Sequence, residues 1–245
     1  MATITFAGSG DTVGSGGRLQ TCIHVATDES RFLLDCGASS LPALKREGVD
    51  PNTVDAIFLT HLHGDHFGGI PFFVLDAQLV SKREAPLLVA GPPGTETRVE
   101  AAMDVLFPGL SEVEQAFDVT YREYGAGESV VDEDVEVTPF EVVHPSGAPA
   151  YALRAAFDGR VLTYSGDTEW TESLAAAARG ADLFVCEAYF YEKSVPYHLD
   201  YATLRSHLGT LDCDRVVLTH MSEDMLARRS EVDLECAEDG TRLTL

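Results

Sequence analysis

Apolar residues along the chain gather in short runs, many of them β-branched and closed by glycine, aspartate or proline, separated by stretches with helical spacing. The runs predict strands over residues 3–7, 20–26, 31–35, 56–60, 87–90, 135–143, 151–157, 160–163, 183–187 and 215–219, with a partial strand at 119–121. Helical spacing predicts helices over 41–47, 71–80, 95–106, 172–179 and 201–208. Thr27-Asp28-Glu29-Ser30 and Asp158-Gly159 each sit between two strand runs, and the second pair is a strong hairpin signal. Mixed strands with helices between them imply an α/β chain of two sheets packed face to face, helices outside. One domain covering residues 1–245 is expected.

The most informative run is AIFLTHLHGDHFGGI, residues 56–70. Its apolar half reads as a buried strand, and it breaks abruptly into His61, His63, Asp65 and His66. Residues two apart in extended backbone point to the same side, so His61 and His63 face one point. Gly64 lets the chain turn, so that Asp65 and His66 can address a second point nearby. Imidazole and carboxylate donors in two groups suit two ions of zinc, manganese or iron. Three later strand runs lead into further candidates of the same chemistry, His144, Asp167 and His220.

His61-Leu62-His63-Gly64-Asp65-His66 matches the HxHxDH signature of the metallo-β-lactamase-fold hydrolases, and the chain resembles that family over nearly its whole length. The resemblance implies an αββα four-layer sandwich and a dinuclear site. It places His61, His63 and His144 on one ion and Asp65, His66 and His220 on the other, with Asp167 bridging and Asp65 also catalytic. Asp35 would support the ligand loop without binding metal. Two divalent ions about 3.5–4 Å apart generate hydroxide at neutral pH and stabilise both attacking and leaving oxygens, so hydrolysis needs no serine or cysteine nucleophile.

The bridging aspartate in SGDT, the strand end Cys186-Glu187-Ala188 and His198 in YHLDYATL resemble the branch containing ribonuclease Z and phosphodiesterases. That resemblance makes His198 the residue that meets the scissile phosphate, a second catalytic candidate suited to proton transfer near neutral pH. A carboxylic ester or lactone hydrolase could use the same ligands, with Tyr191 or Tyr197 steering a carbonyl. His24, inside the first hairpin, reads as a packed residue. The glycine-rich stretch GSGDTVGSGG reads as a turning loop; no helical spacing follows it, so it is not a phosphate loop.

Charge narrows the substrate. Forty acidic residues face seventeen basic ones, a net charge of -23, and only Lys45, Lys82 and Lys193 are lysines. Nucleic-acid binders neutralise phosphates with Lys and Arg, so long RNA or DNA is a poor partner for such a surface. No glycine-rich basic insertion resembles a tRNA-clamping arm. A small or short phosphodiester is therefore the expected substrate, tRNA 3′-processing the least favoured alternative. Five scattered cysteines without a CxxC pair read as buried thiols rather than a disulfide framework. Neither a leader-like nor a membrane-spanning stretch is evident, so a cytoplasmic protein is expected, as a monomer or a homodimer.

Overall fold

The computed structural model describes residues 1–245. Its first sheet contains β1 (Thr3–Gly8), β2 (Cys22–Ala26), β3 (Arg31–Leu34), β4 (Ala56–Phe58), β5 (Leu87–Gly91), β6 (Val119–Glu123) and β14 (Arg242–Thr244), in the order β14-β1-β2-β3-β4-β5-β6. The second holds β7 (Val130–Asp132), β8 (Val135–Val142), β9 (Ala150–Phe157), β10 (Arg160–Tyr164), β11 (Leu183–Glu187), β12 (Val216–Thr219) and β13 (Glu235–Cys236), in the order β13-β12-β11-β10-β9-β8-β7. In each sheet an antiparallel set passes into a parallel one: β3 to β6 are parallel in the first, β10 to β13 in the second. Parallel strands bring their C-terminal ends to the same edge, and every ligand candidate follows such an end or that of β8.

Alternation along the strands assigns the layers. Phe32, Leu34 and Phe58 of the first sheet meet Leu153, Phe157, Leu162 and Val185 of the second in a buried core between the sheets. Leu33 and Ile57, pointing the other way, pack under α3 (Ile70–Leu79) and α4 (Thr95–Leu106) through Phe73, Val74, Val99 and Met103. Phe184, Cys186 and Leu218 do the same beneath α5 (Glu172–Ala177), α6 (Tyr201–His207) and α7 (Glu223–Ala227). Each of these side chains gains roughly 1.5–3 kcal/mol from burial. The result is the αββα sandwich that the pattern of runs implied. The two remaining helices are α1 (Ser40–Arg46) and the single turn α2 (Gly64–Phe67).

Every strand and helix expected from the sequence is present, with ends shifted by a few residues. The elements not anticipated, β7, β13, β14, α2 and α7, are too short to carry a period, and β14 exists only because Thr3 to Thr5 pair with Thr244 to Arg242 across the whole chain length. One expectation needs correcting: Cys22, Cys36 and Cys186 are buried thiols, but Cys213 and Cys236 are only half-buried, because they lie at the sheet periphery. No helix is long and apolar enough to cross a membrane.

Arg83, in the charged segment SKREAP between α3 and β5, is 1% exposed. Its guanidinium donates to the carbonyls of Pro51, Asn52, Val54, Ala85 and Pro86 at 2.5–3.3 Å, so one side chain ties the entry of β4 to the entry of β5. Replacing it by Met orphans several buried carbonyls at about 1 kcal/mol or more each. Arg83→Met is expected to lower unfolding stability by at least about 3 kcal/mol in urea titration; a loss under about 1 kcal/mol would show that water substitutes for the clamp.

Candidate metal centre

The ligand stretch leaves β4 at Phe58 and is held from below by Asp35. Asp35 takes a left-handed backbone (φ 60°) and accepts from the Thr60 amide at 2.8 Å and the Thr60 hydroxyl at 2.9 Å. It also accepts from His66 Nδ1 at 2.6 Å. The Cys36 amide donates to the His66 carbonyl at 2.6 Å, and a Cβ on Gly37 would stand 2.2 Å from the Asp65 carbonyl. Only glycine permits that approach, and it presses α2 onto the loop after β3.

These contacts fix which imidazole nitrogens face inward. A carboxylate or carbonyl only accepts, so His66 and His144 each carry hydrogen on Nδ1; His144 donates from it to the Tyr197 carbonyl at 2.9 Å. Nε2 of both rings is thereby turned toward the cluster. His144 Nε2 lies 3.1 Å from His63 Nδ1, and His61, His63 and His144 form one group of convergent donors. Asp65, His66, Asp167 and His220 form the second. In it, His66 Nε2 lies 3.3 Å from both Asp65 Oδ2 and Asp167 Oδ1, and His220 Nε2 lies 3.5 Å from the same two oxygens. Donors about 2.0–2.1 Å from a tetrahedral ion stand roughly 3.3 Å apart, so both spacings fit a divalent metal.

Asp167 joins the groups. Its Oδ1 faces His66 and His220, while its Oδ2 is 3.9 Å from the Nε2 atoms of His61 and His144. The buried His61 Nε2, His66 Nε2 and Asp167 Oδ1 have no hydrogen-bond partner. Orphaned buried polar atoms are costly, and a pair of cations between the groups would satisfy them together. Burial opposes ionisation of Asp167, but His220 and His66 outweigh it and hold its pKa well below the usual carboxylate range. For His61 burial prevails, with His66 adding repulsion, and the ring is held neutral, the form a metal requires.

All seven candidate ligands and His198 are thus brought to one place, although they come from positions up to 159 residues apart in a chain of 245. His24 stays away from the cluster, packed in β2. Two participants were given no role from the sequence. Glu187, part of the strand end Cys186-Glu187-Ala188 that carries the branch resemblance, is fully buried; its Oε1 accepts from the Thr168 amide and its Oε2 lies 3.0 Å from His198 Nδ1. An acidic residue closing the apolar strand LFVC was the available signal. Thr12, in the loop read as a turning segment, donates its hydroxyl to Asp65 Oδ2 at 2.6 Å, so that loop also braces the centre. His198 is stacked on Tyr189 at 4.6 Å and stands 5.0 Å from the His144 ring. Burial works against its cation, but the hydrogen bond and charge of Glu187 raise its pKa above the ordinary value.

Residues 30–221 match the β-lactamase superfamily domain. Ribonuclease Z of Methanothermobacter thermautotrophicus is 28% identical, over 97% of this chain and 91% of that protein. The short form of human tRNase Z superposes with a TM-score of 0.80 at 22% identity, covering 99% of this chain and 98% of that one. A diphosphatase of the PhnP family gives 0.78 at 20% identity, over 100% and 98%. These two structures establish the shared fold. The domain match and the chain-long relationship make this protein a member of the β-lactamase superfamily, in its ribonuclease Z-like branch of metal-dependent hydrolases.

Proposed function

We propose that residues 1–245 form a single-domain dinuclear phosphodiesterase acting on a small or short phosphodiester. His61, His63 and His144 would hold one ion, Asp65, His66 and His220 the other, and Asp167 would span them. The nitrogen-rich donor set suits zinc, with manganese or iron able to replace it. The bound pair would supply a nucleophile at neutral pH and charge stabilisation for the phosphoryl oxygens. Asp65, whose Oδ2 accepts from Thr12, would act both as a ligand and as a catalytic carboxylate beside the nucleophile. His198 gives a proton to the departing oxygen, and Glu187 holds its ring in the orientation that exposes Nε2.

The observation that carries this reading is His198 itself, partly exposed beside the ligand cluster yet anchored by a buried carboxylate. An alkoxide leaves a phosphodiester slowly unless a proton meets it, and this residue is built to deliver one. A second reading, tRNA 3′-end cleavage, is favoured by the relatives bearing the name ribonuclease Z. The net charge of -23 weighs against it, since tRNA backbones need basic surface.

One panel decides between them. Metal-reconstituted protein is expected to hydrolyse bis(p-nitrophenyl) phosphate and to process precursor tRNA slowly or not at all. Efficient tRNA cleavage that weakens with salt would favour the second reading. Rapid lactone opening without phosphodiester turnover would overturn both.

A further inference from the structure

His220 takes φ 56°, a left-handed backbone that costs free energy for a residue with a Cβ, so its surroundings must hold it there. Ser9, just past β1, does so. Its carbonyl accepts from the His220 amide at 3.1 Å and from the Thr219 hydroxyl at 3.3 Å. Ser9 is in turn fastened by Asp239, 230 residues away in the segment that crosses from β13 in the second sheet to β14 in the first. Asp239 Oδ1 accepts from both the amide and the hydroxyl of Ser9 at 2.9 Å. Its Oδ2 accepts from the Leu19 amide at 2.9 Å and pairs with Arg46 at 3.3 Å. One carboxylate thus closes both ends of the glycine-rich loop 9–19.

These bonds divide the metal centre. From Asp239 they lead to His220 through the Ser9 carbonyl, and to Asp65 through Thr12, whose hydroxyl donates to Asp65 Oδ2 from within the same loop. Asp65 and His220 both belong to the second donor group. The first group is fastened elsewhere: His61 Nδ1 lies 3.0 Å from the Thr60 hydroxyl, and His144 donates to the Tyr197 carbonyl. Asp239 itself is no ligand, because both of its oxygens are spent on Ser9, Leu19 and Arg46.

We infer that Asp239 is a positioning residue for the second ion: by fixing loop 9–19 it holds His220 and Asp65 in place, and it governs the affinity of that ion and not of the first. This rests on the two-ion reading above but not on the identity of the substrate. Zinc is titrated into the metal-free wild type, Asp239→Ala and Asp239→Asn against a competing chelator, which gives two stepwise constants for each. In Asp239→Ala one constant is expected to weaken roughly 10- to 100-fold while the other stays within about twofold of the wild type. Asp239→Asn keeps an acceptor oxygen for Ser9, so its loss should be smaller and fall on the same ion; it carries the comparison if Asp239→Ala does not fold. Zinc-edge anomalous diffraction from variant crystals grown at one equivalent of zinc should place the ion on His61, His63 and His144. Arg83→Met controls for general destabilisation, since Arg83 clamps β4 and β5 at the ends away from the ligands, and it should leave both constants unchanged despite its lower stability. Equal weakening of both ions, no weakening in either Asp239 variant, the same selective loss in Arg83→Met, or a lone ion on Asp65, His66 and His220 would each overturn the inference while leaving the dinuclear reading intact. A wild type that takes up a single ion would sink that reading and the inference with it.

Discussion

Asp167→Ala is expected to leave the protein folded while removing at least one metal ion per chain and lowering kcat/KM by roughly 10³-fold or more. Asp167 follows the end of β10 and sits beyond the apolar core between the sheets, so its loss opens no void among the packed side chains. What it does is divide its two oxygens between the two donor groups. Without it the second group retains a single carboxylate, Asp65, and the first loses the carboxylate oxygen 3.9 Å from His61 and His144. Two dications held a few ångströms apart repel strongly, and a shared carboxylate is the cheapest screen between them. The loss of one ion also removes one of the two charges opposing the developing oxyanion, worth about 10²–10³-fold by analogy with a lost oxyanion donor, before any effect on the nucleophile. Elemental analysis after dialysis, with circular dichroism as a check on folding, measures this directly. Retention of two ions per chain by Asp167→Ala would show that the carboxylate does not join the two groups.

His198→Ala is expected to keep the metal content of the wild type and lower kcat by about 10²–10⁴-fold on substrates with alkoxide leaving groups. For p-nitrophenolate, already a stable anion, the loss should be much smaller, because little proton transfer is needed. The contrast between leaving groups is the decisive part. A merely structural histidine would affect both substrates alike, and an additional metal ligand would reveal itself as lost metal. Glu187→Gln offers a graded version, since it removes the charge and leaves one acceptor oxygen for two donors, the Thr168 amide and His198 Nδ1. An unchanged rate of His198→Ala on both classes would remove this residue from the mechanism and with it the strongest support for a phosphodiester substrate.

Much of this centre was legible because its essential part is local. His61, His63, Asp65 and His66 lie within six residues, in the short segment after β4 and the helical turn that follows it, so their spacing already suggests which of them share a direction. The strands were equally legible, since a residue such as Phe32, Leu33 or Ile57 declares its face through a period of two whatever it finally packs against. The distant ligands were recognised by resemblance, and their convergence follows from parallel strands ending on one edge.

What only the tertiary structure decided is the environment of groups whose neighbours are remote in sequence. Arg83 looks like a solvated loop arginine until five carbonyls from the entries of β4 and β5 surround it. Glu187 looks like the polar end of a strand until His198, eleven residues on, folds back against it. Thr12 and Asp65 are 53 residues apart, and nothing in a glycine-rich loop announces that its one threonine will hold a ligand carboxylate. Periodicity reports which face of an element is buried, because the hydrophobic effect is non-directional and every apolar side chain votes in the same way. A hydrogen bond depends on an angle and a few tenths of an ångström between particular atoms, and those are fixed only when the whole chain has closed around them.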